Sequence, residues 1–106
     1  MDKKRDLSIY RMQNAKDTLD TAKICREYKR YKDSINRCYY AAFYAIKAVL
    51  ALEGKDFKRH KDAVGYFNQT YVATGKFSRD FGKRLGRLKR KREVSDCLLY
   101  TSDAAD

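Results

Sequence analysis

Apolar residues recur at steps of three and four along most of the chain, the spacing that places side chains on one face of an α-helix. The first run predicts a helix from about Leu7 to Tyr28. Charged residues dominate its opposite face, as expected for an amphipathic helix at a protein surface. The predicted apolar stripe comprises Leu7, Tyr10, Ala15, Leu19, Ala22 and either Ile24 or Cys25.

The second run, INRCYYAAFYAIKAVLALEG from Ile35 to Gly54, is apolar around almost its whole circumference. Asp33 or Ser34 can cap its first turn, and Gly54 is a suitable C-terminal stop. A helix that is apolar on two sides must be covered on both. The first helix explains one side, and the other needs a further helix of the same chain, a second subunit, or both. One stripe contains Ile35, Cys38, Ala42, Ala45 or Ile46, and Val49; the other contains Tyr40, Phe43, Tyr44 and Ala51.

Two shorter runs follow. A third helix is predicted from about Lys61 to Ala73 and is ended by Gly75. Ser78 can cap a fourth helix, from about Arg79 to Val94. The core positions of the third helix are Ala63, Val64, Phe67, Tyr71 and Val72, and those of the fourth are Phe81, Leu85 and Leu88.

Composition agrees with a single all-α domain. The chain has 106 residues, no proline and an apolar fraction of 43%. That fraction is sufficient for a core and too high for a disordered chain. The longest apolar run, from Tyr39 to Leu52, is interrupted by Lys47 and is shorter than the roughly 20 residues that span a bilayer. No membrane span is therefore expected.

The formal net charge of +11 makes an anionic partner plausible. Nucleic acid, an acidic protein and an anionic membrane surface all remain open, as does a basic face that is only solvated. The charge is densest in the fourth helix and the turn before it: nine residues between Lys76 and Arg92 are Lys or Arg, and only Asp80 is acidic. Like charges four residues apart repel, so this density favours a phosphate backbone or an acidic surface as partner. The residues predicted to bind it are Lys83, Arg84, Arg87, Arg90 and Lys91.

Catalytic and metal motifs are scarce. No glycine-rich phosphate loop occurs, and no cofactor is expected. The chain has one histidine, His60, which we interpret as a surface or helix-entry residue. Cys25 and Cys38 are interpreted as small buried apolar residues in a reducing cytosol. With one histidine and no CxxC spacing, a zinc site is not expected.

The last ten residues, CLLYTSDAAD, do not continue the pattern of the basic helix. They resemble the translation of one reading frame of a transposase-type sequencing adapter. We therefore expect residues 97–106 to be a non-native tail on a C-terminally truncated domain, which comprises residues 1–96. Without Asp103 and Asp106, the formal charge of +11 becomes +13.

Several blocks resemble the HEPN domain family, in order, from about Ser34 to Asp96. The most specific block contains Arg37, Tyr39, Tyr40, Ala41, Phe43, Ala45 and Ala48. Further matches are His60, Phe67, Tyr71, Val72, Gly75, Arg92 and Asp96.

The resemblance implies an antiparallel helical bundle of about four helices that dimerises in the cytoplasm, with the last family helix missing here. Tyr40, Phe43 and Tyr44 would then face a partner subunit or that missing helix. It also implies a toxin–antitoxin pair with a nucleotidyltransferase partner. Many family members are metal-independent ribonucleases that use an Arg and a His with four to six residues between them.

That Arg/His signature is absent from this chain. The required positions before His60 hold Glu53, Gly54 and Lys55, and no His follows Arg90 or Arg92 at the required distance. Arg92 remains the candidate catalytic residue, and enzymatic activity stays open. We expect a nucleotide- or RNA-linked module of a toxin–antitoxin pair. The alternatives are a ribonuclease toxin whose His lies outside this sequence and a non-catalytic interaction domain.

Overall fold

The computed structural model describes residues 2–80 and 83–93. Within these residues the chain forms four stretches of helix joined by short turns. Helix α1 spans Lys3–Glu27, α2 spans Tyr31–Leu52 and α3 spans His60–Phe67. A single π-helical turn, Asn68–Val72, extends α3. Residues 83–93, here called the basic helix, are helical as well. The described residues contain no strand, so the all-α prediction is confirmed.

Helix α1 begins earlier than the predicted Leu7, because Asp2 caps it. Its side-chain Oδ1 accepts hydrogen bonds from the backbone N–H groups of Lys4 at 3.0 Å and Arg5 at 3.2 Å. Asp and Asn are among the best residues at this position, since they satisfy N–H groups that have no partner within the helix. The apolar pattern starts later than the cap, which explains why periodicity alone placed the boundary too late.

A tight turn then reverses the chain. Lys29 adopts a left-handed conformation with φ of 59°, and the N–H of Arg30 donates to the carbonyl of Cys25 at 2.8 Å. This is a common way to end a helix and redirect the chain. Helices α1 and α2 are consequently antiparallel: Ser34 contacts Ala22, and Arg11 contacts Lys47.

Small residues dominate the α1–α2 contact. On α1 only Ala15 and Ala22 are buried, whereas Tyr10 is 64% and Leu19 is 42% exposed. The predicted apolar stripe of α1 is therefore wrong for its large members, since the close approach of the two helices is made through alanines. The hydroxyl of Ser34 is buried and donates to the carbonyl of Ala22 at 2.9 Å.

The predicted start of α2 is also corrected. Ser34 lies inside the helix rather than capping it, and α2 already begins at Tyr31. Arg30 occupies the N-cap position without a side-chain hydrogen bond. Gly54, by contrast, acts as the predicted stop, with a left-handed φ of 73° after the last helical residue, Leu52.

The main core lies on the side of α2 that faces away from α1. Tyr39, Phe43, Ile46 and Leu50 of α2 form one buried cluster with Ala63, Phe67 and Leu85. The second side of α2 is thus covered within the chain, by α3 and the basic helix. Leu88 packs at the cluster edge, as predicted, while Phe81 lies outside the described residues. Cys25 and Cys38 are half-buried rather than buried.

The third predicted helix is divided into α3 and the π-helical turn. The N–H of Ala73 donates to the carbonyl of Asn68 at 2.8 Å, five residues back. Gly75 follows with φ of 82°, and the ring of Phe77 returns to within 5.2 Å of the Phe67 ring. This turn brings the chain back to the core just before the basic helix.

Within the described part of the chain, no helix combines the length and hydrophobicity that a bilayer crossing requires. The predicted tail, residues 97–106, and the predicted end of the fourth helix at Val94 lie outside the described residues.

Candidate functional site

The basic helix presents its predicted binding residues to solvent. Lys83, Arg84, Arg87, Arg90 and Lys91 are all exposed. Arg84 pairs with Asp80 at 2.9 Å, but both side chains are largely exposed. Such a surface pair contributes little to stability and is easily exchanged for another anion.

The side chain of Arg92, by contrast, lies against α2 rather than in solvent. It is half-buried, and its guanidinium carbon lies 4.5 Å from the centre of the Tyr39 ring and 5.8 Å from that of Tyr40. A guanidinium over an aromatic face is attracted by the negative charge density of the ring. Arg92 therefore joins the basic helix to α2, and the candidate catalytic residue meets Tyr40, a predicted interface residue.

His60 lies at the same place. It is the first residue of α3, as its interpretation as a helix-entry residue requires, but it is half-buried. Its ring stacks on Phe43 with 3.9 Å between the ring centres, and it meets the Tyr40 ring edge-on at 5.7 Å. The pattern of the sequence did not predict this contact with α2.

The surroundings of His60 oppose its protonation. Burial, and after it the positive charges of Arg92 and Lys47, lower its pKa from the ordinary value of 6.5. The ring is consequently neutral in most molecules at pH 7. The pKa of Tyr39 is raised, chiefly by burial, so its phenol also stays neutral.

Arg37 completes this group from α2. Its guanidinium carbon lies 5.2 Å from the centre of the Tyr40 ring. Nε and Nη2 of Arg37 donate to Oδ1 of the neighbouring Asn36, at 3.0 and 2.6 Å. We call Arg37, Tyr39, Tyr40, Phe43, His60 and Arg92 the cation–aromatic cluster.

A network of ion pairs holds the loop that leads into His60. Lys47 of α2 pairs with Asp56, and Arg11 of α1 reaches the same carboxylate at 3.5 Å. The hydrogen bond from Lys47 is the main cause of a lowered pKa at Asp56. Lys47 also contacts the carbonyl of Phe57 at 3.4 Å. The loop is thereby fixed against both long helices, which places the start of α3 over Phe43.

The predicted interface residues differ in exposure. Phe43 is only 5% exposed, because the chain itself covers it with His60 and the core. Tyr40 and Tyr44 are half-buried and remain accessible in part. A role of this surface in a dimer stays a prediction. Of its three predicted residues, only Tyr40 and Tyr44 are accessible enough to contribute.

An open groove of about 400 Å³ lies on a third side of α2, between α1 and the basic helix. Its lining is almost entirely apolar, and the α2 residues in it are small. The lining residues are Met12, Ala15, Lys16, Leu19, Cys38, Ala41, Ala42, Ala45 and Leu88. No group of three or more potential metal-binding side chains occurs among residues 2–80 and 83–93.

Comparisons with known proteins place this helical bundle in a family. The model of the HEPN domain matches residues 9–105, and the chain belongs to the HEPN domain family. The match includes residues 97–105, part of the tail whose non-native origin stays a prediction.

Two relatives illustrate the similarity. The chain is 33% identical over 96 residues to a "UPF0332 protein" of Thermotoga maritima, covering 91% of this chain and 73% of that protein. It is 32% identical over 89 residues to a protein of Methanocaldococcus jannaschii named "Putative toxin MJ0605", covering 84% of this chain and 64% of that protein. No solved structure matches the chain.

Proposed function

We propose that this protein is the RNA- or nucleotide-linked module of a toxin–antitoxin pair whose other member is a nucleotidyltransferase. The observation that carries the proposal is that the basic helix places five solvent-exposed Lys and Arg side chains beside the cation–aromatic cluster. The proposed setting is the cytoplasm, and the proposed state is a homodimer.

The charge distribution supports RNA as the ligand. Lys83, Arg87 and Arg90 lie on one exposed helix with no acidic residue between them. Folding concentrates these like charges at a cost, and a phosphate backbone offsets that cost by neutralising them. Neighbouring tyrosines supply faces on which unpaired bases can stack.

The name of the M. jannaschii relative supports the biological setting. That name describes the relative, and extending it to this chain is part of the proposal. The same holds for the nucleotidyltransferase partner, which rests on the family resemblance.

A metal-independent ribonuclease is the second candidate. Its supporting observation is that Arg92 and His60 both lie against the rings of Tyr39 and Tyr40, although they are far apart in sequence. A neutral imidazole can accept a proton from a ribose 2′-hydroxyl, and a guanidinium can stabilise the charged phosphate. Cleavage of RNA that is lost in both His60→Asn and Arg92→Gln would favour this candidate over the binding module.

The test of the main proposal is binding of a single-stranded oligoribonucleotide over a salt series. Each neutralised phosphate contributes a slope of about −0.7 to the logarithmic salt dependence on single strands. The double variant Arg87→Glu/Arg90→Glu is expected to bind more weakly and with a shallower slope. Neither residue is buried, so the fold should persist.

A matched control reverses the same amount of charge elsewhere. Lys23→Glu/Lys32→Glu changes two exposed residues near the α1–α2 turn and should leave the slope almost unchanged. Salt-insensitive binding, or equal losses in the two double variants, would contradict the proposal. A non-catalytic interaction domain would then be favoured.

A further inference from the structure

Three side chains from three separate elements converge on one aromatic ring. Measured to the centre of the Tyr40 ring, Arg37 of α2 lies at 5.2 Å and Arg92 of the basic helix at 5.8 Å. The ring of His60, at the start of α3, lies at 5.7 Å. Two of these groups are always charged, and the third can become charged.

The local electrostatics favour an anion at this point. Lys47 adds a further positive charge that acts on His60, while Glu93 is the acidic residue that acts on Tyr39. The amide oxygen that Arg37 contacts is neutral, so that contact leaves the guanidinium charge uncompensated. Guanidinium groups recognise phosphate oxygens through pairs of parallel hydrogen bonds.

We propose that Arg37, His60 and Arg92 form a phosphate-binding site around the Tyr40 ring, and that this site holds a phosphodiester group of an RNA strand. The choice of RNA rests on the proposed function. The basic helix attracts the strand, and the cluster fixes one of its phosphates. His60 takes up a proton when the phosphate binds and then donates a hydrogen bond to it.

The proton uptake follows from the groups that face His60. Without ligand, burial and the charges of Arg92 and Lys47 keep the ring neutral. The other groups around it are the aromatic rings of Tyr39 and Tyr40, and Asp62 pairs with Arg59. A bound phosphate adds a negative charge, which raises the pKa of His60. Binding should therefore strengthen as the pH falls from 8 toward 6.

The test uses the single histidine of the chain as its own reporter. Its ring proton resonance is titrated by NMR, first without ligand and then with a hexamer of uridylate at constant ionic strength. Inorganic phosphate serves as a second probe. We expect the His60 pKa to rise with either probe. An unchanged titration at saturating hexamer would overturn the proposal.

Variants separate this site from the general charge of the basic helix. Arg37→Gln and Arg92→Gln each remove hydrogen bonds to a charged group, and each should weaken hexamer binding about tenfold or more. Lys23→Gln removes one positive charge from an exposed position of α1 and is expected to change affinity much less. Equal losses in all three variants would overturn the proposal.

His60→Asn should abolish the pH dependence of binding, whereas wild-type protein binds more tightly at pH 6 than at pH 8. The phosphodiester charge is constant over this range, so the dependence reports on the protein. If Arg92→Gln does not fold, Arg37→Gln and the wild-type titration still decide the matter.

The outcomes distinguish this site from the proposed function. RNA binding that depends on Arg87 and Arg90 but leaves His60 unchanged would retain the proposed function and reject the site. A His60 pKa that rises with inorganic phosphate, in a protein that does not bind RNA, would retain the site and reject the proposed function.

Discussion

The two buried sides of α2 are built from different residues. Toward α1, the helix presents Ser34, which contacts Ala22, and the buried residues Ala41 and Ala48, which lie on the same side of α2 because the three recur every seven residues. Toward α3 and the basic helix, it presents Tyr39, Phe43, Ile46 and Leu50. One side allows two backbones to approach closely, and the other supplies most of the large buried side chains.

This difference separates two tasks. The alanine side fixes the distance and direction of the long α1–α2 hairpin. The aromatic side contains the core and also positions Tyr40, His60 and Arg92. Buried large side chains contribute more to stability than alanines, since the contribution scales with buried apolar area. Changes on the aromatic side should therefore affect both stability and the proposed site.

The largest expected effect is from Phe67→Ala. Phe67 is 1% exposed and lies in the core cluster, so its loss leaves a cavity as well as removing buried area. We expect a loss of about 3–5 kcal/mol in the free energy of unfolding, measured by urea denaturation. Leu19→Ala, at a 42% exposed position of α1, is the control and should change it by less than about 1 kcal/mol. Similar losses of unfolding free energy in the two variants would contradict the proposed difference between the two sides of α2.

An intermediate effect is expected when the alanine side is overfilled. Ala48 is completely buried, and a leucine there would force α1 and α2 apart. Ala48→Leu should therefore cost about 1–3 kcal/mol in the same measurement. Ala42→Leu adds the same atoms on the same helix but points them into the open groove. Ala42→Leu should leave the free energy of unfolding nearly unchanged. A loss equal to that of Ala48→Leu would show that the groove cannot accommodate the added atoms.

The smallest of these effects is the dependence of stability on the charge of His60. Its pKa is lowered in the folded protein from 6.5, so the neutral form is favoured by folding. The associated stability is present above pH 6.5 and is lost as the pH falls through the lower, folded-state pKa. Thermal unfolding between pH 7 and pH 5 should show this loss.

The control for that pH dependence is His60→Phe, which keeps a ring against Phe43 and cannot be protonated. Its melting temperature should fall less than that of the wild type over the same pH range. Arg92→Gln removes one of the two charges that oppose protonation and should reduce the dependence in part. Identical pH profiles for wild type and His60→Phe would contradict the account of the cluster.

The helices, the stop at Gly54 and the exposed basic residues could be predicted from the sequence because they depend on local spacing. The buried stripe of α1 could not, because helical periodicity does not reveal that alanines rather than Tyr10 and Leu19 face the neighbour. The two apolar stripes predicted for α2 do not include Tyr39, yet this residue is almost completely buried.

The cation–aromatic cluster could not be predicted from local sequence patterns either. His60 and Arg92 reach the same two tyrosine rings because Lys47 and Arg11 anchor Asp56 in the loop before His60, and the reversal around Gly75 returns the chain to the core. Each of these contacts joins residues that are distant in sequence. The helical spacing of His60 and Arg92 within their own segments does not indicate that the two residues share these rings.

The most direct test of the central claim maps RNA binding onto the two sides of α2. Backbone amide resonances of ¹⁵N-labelled protein are followed while the uridylate hexamer is added. The account predicts the largest changes at residues 83–93, Arg37, Tyr40 and His60, with little change along the exposed face of α1. Changes concentrated on α1, or distributed evenly over the basic surface, would contradict it.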